Sequence, residues 1–131
     1  MAATLLVDTD ILIDAAREIE GAVAFLEGEE TDFSLGISVI TEMELVTGCR
    51  NKAELQKLDK FLKRFHVLLI RGAISNRASK LLREYRLSHG LLIPDALIAA
   101  TALESGLRLA TKNIKDFRFI DGLKLAKYPE S

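Results

Sequence analysis

Asp8, Glu44, Asp95 and Asp116 each stand at or near the end of a hydrophobic segment that reads as a strand. Asp8 closes the apolar run Leu5-Leu6-Val7, and Asp95 follows Leu91-Leu92-Ile93-Pro94 at the opening of a helix. They are far apart along the chain, so they meet only if the fold gathers strand ends together. Carboxylates gathered at one edge repel each other and destabilise the fold. A hard cation such as Mg²⁺, which prefers oxygen ligands, would remove that penalty. The chemistry this set suits is metal-assisted hydrolysis of a phosphodiester, with the ion activating water and stabilising charge at the phosphate.

Each acid also has a structural use. Asp8 could cap a helix, although Asp10 is the better candidate for a plain cap. Glu44 follows Thr41 by three residues, the spacing of a capping box. If Ser38 caps that helix instead, Glu44 falls in its second turn and can point back to the sheet edge, while Glu42 faces another way. The helix dipole alone favours Asp95 in a first turn. The run from Ala96 to Ala102 is small and apolar, however, and must pack tightly. An unpaired Asp beside it is costly without a cation or hydrogen bonds. Asp116 could be a turn residue, and it shares the stretch after Leu107–Ala110 with Thr111 and Asn113.

These residues need a scaffold of alternating strands and helices, and the periodicity predicts one. Strands are expected at Thr4–Val7, Phe33–Val39, Val67–Ile70, Leu107–Ala110 and Leu123–Leu125, with Gly36 weakening the second. Helices are expected over Asp10–Arg17, Gly21–Glu29, Ser38–Gly48, Lys52–Phe65, Ile74–Leu87 and from Pro94 to Ser105. Gly48 and Gly106 are the expected stops, and Pro94 suits a first turn. Ile114–Phe117 reads as a short turn. On the helix over Ile74–Leu87, Ala78, Leu81, Leu82 and Tyr85 should face inward and Arg77, Lys80 and Arg83 outward. This order implies an α/β fold, a central parallel sheet with helices on both faces, as one domain over residues 1–131. In such sheets ligands gather at the carboxyl ends of the strands, where Asp8 lies.

Composition narrows the chemistry. The chain has no Trp, which disfavours an aromatic platform for stacked bases. Cys49 is the only cysteine, so it forms no internal disulfide and reads as a small hydrophobe. With one Cys and two His, a zinc site is not expected. His66 and His89 read as structural, and no serine nucleophile setting or Gly-rich phosphate loop occurs. The start of the chain lacks the pattern of a signal peptide, and no apolar run is long enough to span a bilayer; a cytoplasmic address is expected. Charge is near neutral overall but segregated: residues 1–50 carry net −9, residues 51–90 net +7 and residues 91–131 net +1. The basic middle could face a polyanion beside an acidic, cation-attracting region, or simply be solvated helix faces.

Four segments, in order, resemble the PIN-domain ribonucleases, most closely the VapC-type toxins of toxin–antitoxin pairs. They are Leu6-Val7-Asp8-Thr9-Asp10-Ile11-Leu12-Ile13-Asp14, then Ser38-Val39-Ile40-Thr41-Glu42-Met43-Glu44-Leu45-Val46-Thr47-Gly48, then Ile93-Pro94-Asp95-Ala96-Leu97-Ile98-Ala99-Ala100-Thr101-Ala102. The last is Thr111-Lys112-Asn113-Ile114-Lys115-Asp116-Phe117, followed by Gly122-Leu123-Lys124-Leu125. Any one motif is weak, but the ordered set is specific and covers nearly the whole chain.

The resemblance implies a PIN-like fold and an endoribonuclease dependent on Mg²⁺ or Mn²⁺. Its metal-site acids map onto Asp8, Glu44 and Asp95, with Asp116 as the fourth and Asn113 as a rival for that place. Asp10, Thr9, Ser38 and Thr111 would orient ligands or water. The implied partners are RNA, a VapB-like antitoxin that masks the site, and a second copy in a homodimer. A surplus of aliphatic side chains, including Ile11, Leu12, Ile13, Val46, Leu55 and Leu58, is the expected source of the interface. Two rivals stand beside this reading. A phosphatase of the haloacid dehalogenase type shares strand-Asp-x-Asp, but its Asp-Gly-Thr is Asp10-Ile11-Leu12 here. A non-catalytic PIN-like module binding RNA or protein is the other, and the intact acid set argues against it.

Overall fold

The computed structural model describes residues 3–32 and 34–128. The expected Phe33 start of the second strand and the ends of the chain lie outside the described residues. The elements run β1 (Leu5–Val7), α1 (Thr9–Ala16), α2 (Glu20–Asp32), β2 (Leu35–Ser38), α3 (Val39–Thr47) and α4 (Lys52–Leu62). They continue with β3 (His66–Leu68), α5 (Gly72–His89), α6 (Ile93–Ser105), β4 (Arg108–Ala110), a 3₁₀ turn at Ile114–Asp116 and β5 (Leu125–Ala126). Every expected element is present, with ends moved by a few residues.

The five strands form one parallel sheet in the order β3-β2-β1-β4-β5. The chain lays β2 and β3 on one side of β1, then crosses to lay β4 and β5 on the other. The order therefore reverses between β1 and β4, and a crevice opens at the carboxyl ends of those two strands, the usual ligand position in open α/β sheets.

Alternate residues of β1 serve opposite faces, as strand geometry requires. Leu5 and Val7 join a core with Ile11, Leu12, Leu26, Ile37 and Leu62, which places α1, α2 and α4 on one face. Leu6 joins Ile74, Leu81, Ile98, Leu109 and Phe117, which places α5 and α6 on the other. The small side chains of Ala99 and Ala100, both wholly buried, let α6 lie close against its neighbours. Gly106, in the left-handed region at φ 67°, ends α6 and turns the chain into β4.

Two expectations about side chains need correction. Ile11, Leu12 and Leu58 are not surplus: all three are interior, because α1 and α4 wrap one face of the sheet. Val46 is exposed as expected, but the most exposed apolar groups lie elsewhere, at Leu87, Leu69, Ile93, Leu92 and Met43. Arg77 does not face outward. It is half-buried and pairs with Glu104 of α6 at 2.9 Å, because it lies on the side of α5 that approaches α6.

Gly36 is a requirement of the sheet. A Cβ at that position would stand 2.8 Å from Ala3 Cβ and 2.9 Å from Leu68 Cδ1, closer than packed carbon atoms allow. We expect Gly36→Val to lower stability by about 1–3 kcal/mol through overpacking. Gly28 sits exposed in α2 where an added Cβ would meet nothing within 4 Å, and Gly28→Ala should raise stability by about 0.5–1 kcal/mol. Urea unfolding of the two variants checks both signs.

Candidate metal centre

The register of the sheet builds the site. β1 pairs with β4 so that Val7 lies beside Ala110, and the Asp8 amide donates to the Ala110 carbonyl at 2.9 Å. The next residues, Asp8 and Thr111, therefore arrive side by side, and the Thr111 hydroxyl donates to Asp8 Oδ2 at 2.8 Å. On the other flank Leu6 pairs with Gly36, and the same register carries Ser38 to the level of Asp8. Ser38, fully buried, caps α3 by accepting from the Ile40 amide at 3.1 Å. Asp8, Ser38 and Thr111 thus mark one row across the carboxyl ends of three adjacent strands.

Asp8, not Asp10, caps α1: its Oδ1 accepts from the Thr9 amide at 2.9 Å. The cap and a chemical role are compatible, since each carboxylate oxygen takes one hydrogen bond and keeps a lone pair in reserve. Asp10, one turn-position further on, accepts from Asn113 Nδ2. Lys112 reaches Asp14 at 2.6 Å. Three consecutive residues after β4 are thereby stitched to Asp8 and to the carboxylates of α1.

With Ser38 as the cap of α3, the Thr41–Glu44 capping box is not formed. Thr41 is wholly buried instead, and Glu44 accepts from the Thr9 hydroxyl at 2.7 Å through Oε1. Glu42, two residues earlier, lies roughly 200° around the helix from Glu44. Asp95 stands in the first turn of α6, half-buried, with Pro94 before it. Asp116 closes the 3₁₀ turn and is exposed.

Electrostatics shows which acids share a neighbourhood. Burial pushes the Asp8 carboxyl up to about 6, against the hydrogen bonds from Thr111 and Thr9, with the charges of Asp10 and Glu44 adding to the rise. Burial also pushes Asp95 up to about 7, and the fields of Asp8, Asp116, Glu44 and Asp10 push the same way. The fields of the other acids thus converge on Asp8 and Asp95. The acids do not form a closed cage: among the described residues no three Asp, Glu, His or Cys side chains stand ready-made around a common ion. Glu44 accepts instead from the Thr9 hydroxyl and Asp10 from the Asn113 amide, both neutral donors.

Of the sites expected from sequence, Asp8, Thr9, Asp10, Ser38, Glu44, Asp95, Thr111, Asn113 and Asp116 all belong to this region. Asn113 and Asp116 do different things: Asn113 holds Asp10, while the charge of Asp116 reaches Asp95. Thr41, not among the expected site residues, has its hydroxyl 3.0 Å from that of Thr9. Its spacing from Glu44 suggested a cap, and nothing in the sequence distinguishes a buried threonine from a capping one. The basic middle of the chain is partly committed to the fold. Arg71 donates to the Glu104 carbonyl, Arg77 pairs with Glu104, and Arg86 donates to the carbonyls of Gly90 and Leu91. Lys52, Lys57 and Lys60 on α4, and Lys80 and Arg83 on α5, are exposed. No helix among the described residues is long and apolar enough to cross a membrane.

Residues 5–123 match the PIN domain family. Ribonuclease VapC10 of Mycobacterium tuberculosis is 38% identical over 121 residues, spanning 92% of this chain and 90% of that protein. Among solved structures, a toxin–antitoxin complex from Klebsiella pneumoniae contains a chain 35% identical, with a TM-score of 0.79 over 92% of this chain and 95% of that one. VapBC2 from Rickettsia felis, bound to a DNA fragment from its promoter, contains one 28% identical, with a TM-score of 0.80 over 95% and 98%.

The raised carboxyls make a pH prediction. Asp95 has a pKa in the folded state above its unfolded value, so its ionisation opposes folding. The stability it allows is complete below about 4 and is lost as pH rises to about 7. Asp95→Asn keeps the shape and removes the charge. In metal-free buffer it should raise Tm by roughly 2–5 °C at pH 8, a value discounted for the partial exposure of the group, and by less at pH 5. Thermal scans from pH 4 to 8 with chelator check this. A fall in Tm at every pH would instead assign Asp95 to holding the helix start.

Proposed function

The chain belongs to the PIN-domain family, among the VapC ribonucleases, and on that footing we propose that it is a metal-dependent endoribonuclease, the toxin of a toxin–antitoxin pair. The observation that carries the reading is the buried Asp8 at the carboxyl end of β1, held by Thr9 and Thr111, with Glu44 bonded to the Thr9 hydroxyl and Asp95 within the fields of Asp8, Asp116 and Glu44.

The donor set fits a hard divalent cation, Mg²⁺ or Mn²⁺. It consists of oxygens alone, carries excess negative charge and contains no thiolate or imidazole. Asp8 and Asp95 would hold the ion, with Glu44 as a further ligand, direct or through water, and Asp116 beside Asp95. When bound, the cation supplies Lewis-acid activation of water and charge neutralisation at the scissile phosphate. The chain's own part is positional. Thr111 and the Thr9 amide aim the two oxygens of Asp8, Asn113 holds Asp10, and Ser38 holds the start of α3, which carries Glu44. Ionised carboxylates in this crevice would receive the proton released as water attacks phosphorus, so no side-chain nucleophile is needed. Lys52, Lys57, Lys60, Lys80 and Arg83 offer exposed cations for the RNA backbone.

The same reading carries a VapB-like antitoxin that masks the site by placing an Arg or Lys among the carboxylates, a cytoplasmic address and a homodimer. An open, mostly apolar groove of about 780 Å³ is lined by Leu82, Leu87, Leu91, Leu92, Ile93 and Pro94, with Arg83 and Arg86 at its side, which supports burial against another chain.

Purified protein should cleave single-stranded RNA with Mg²⁺ or Mn²⁺ and lose that activity with chelator. Asp8→Asn and Asp95→Asn should each lower the cleavage rate by roughly a hundredfold or more, with the circular dichroism spectrum unchanged. Cleavage that ignores chelator, or survives Asp95→Asn, would refute the metal mechanism. A folded protein that binds RNA but never cuts it would favour the binding-module alternative. Light scattering at micromolar concentration tests the homodimer separately.

A further inference from the structure

The hydroxyls of Thr9 and Thr41 form a buried chain that ends on Glu44. Thr9 Oγ1 lies 3.0 Å from Thr41 Oγ1 and 2.7 Å from Glu44 Oε1. Thr41 is wholly buried and Thr9 nearly so, at 7% exposure. A hydroxyl has one proton to give, so Thr9 cannot donate to both neighbours. An ionised carboxylate only accepts. If Thr9 gave its proton to Thr41, its lone pairs would face a carboxylate oxygen at 2.7 Å with nothing between them. The proton of Thr9 therefore goes to Glu44, and the proton of Thr41 goes to Thr9. The direction is Thr41 to Thr9 to Glu44.

We propose that Thr41 is a positioning residue for Glu44, acting through Thr9. Glu44 lies on an exposed part of α3, where a long side chain would otherwise spread over several rotamers. The relay holds it to the first turn of α1, next to Asp8. Donation from Thr41 polarises the Thr9 hydroxyl and strengthens its bond to the carboxylate. The chain also links the first turn of α1, which follows Asp8, to α3, which carries Glu44. Thr41 touches neither substrate nor ion in this role. The assignment rests on the metal-binding reading given above.

The test is a double-mutant cycle read by calorimetric titration of Mn²⁺ into the full chain, a readout independent of RNA cleavage. Thr41→Val keeps the shape and removes the donor. It should weaken Mn²⁺ binding about three- to tenfold, the effect of one hydrogen bond, and Thr41→Ser should restore it. In a Glu44→Gln background, Thr41→Val should have little further effect, because the group being aimed has lost its charge. An equal loss in that background would make Thr41 a packing residue and overturn the relay. So would wild-type affinity in Thr41→Val itself. Wild-type protein that takes up no Mn²⁺ would instead overturn the metal reading, and the relay with it. Should Thr41→Val fail to fold, Thr9→Val enters the same cycle from the middle of the chain.

Discussion

Asp8 is an ionisable carboxyl with 5% of its surface exposed, at the end of a strand that is wholly buried. The rest of the site is arranged around the difficulty of keeping it there. A buried carboxylate is tolerated only if its oxygens are hydrogen-bonded or its charge is answered. Here Oδ1 takes the Thr9 amide and Oδ2 takes the Thr111 hydroxyl, which offsets part of the desolvation without removing it. What is left is a deficit of positive charge at one point in the molecule, and Asp95, Glu44, Asp10 and Asp116 deepen it.

The parallel register makes this arrangement reproducible. Because Val7 lies beside Ala110, Thr111 has no choice but to arrive at Asp8, and one helix cap on each of two neighbouring strands brings Asp8 and Ser38 to the same level. The side chains bonded to the acids of the crevice are neutral: the Thr111 hydroxyl on Asp8, the Thr9 hydroxyl on Glu44 and the Asn113 amide on Asp10. Their lack of charge matters. A Lys or Arg in those places would neutralise the cluster internally and leave nothing for a cation to bind. Neutral donors orient the acids and keep the field negative.

Stability and function pull in opposite directions at the crevice. Repulsion among the acids is a cost to the folded chain when no cation is present, and the cores on both faces of the sheet must carry it. They are well filled. Leu5 and Val7 on one side and Leu6 on the other are fully buried, and Ala99 and Ala100 bring α6 close. The exposed apolar residues Leu87, Leu92 and Ile93 lie away from those cores, at the open groove between α5 and α6, a few residues ahead of Asp95.

Local pattern alone determined the order and type of the elements, the helix stops at Gly48 and Gly106, and the acids Asp8, Glu44 and Asp95 as the residues to watch. Strand and helix periods, caps and Pro94 are properties of neighbouring residues, so they are visible without a fold. Tertiary structure decided what depends on distant partners. The reversal of strand order between β1 and β4 put the crevice beside Asp8, a fact of topology that no window of sequence contains. Ser38, not Thr41, took the cap of α3, because the end of β2 fixed where the helix begins. That freed Thr41 to enter the interior beside Thr9. Sequence put Asp116 first with Asn113 as its rival, and only the path of the chain after β4 set Asn113 on Asp10 and brought the field of Asp116 to Asp95. Ile11, Leu12 and Leu58 looked like an aliphatic surplus because composition counts side chains and cannot say which face of a sheet will cover them.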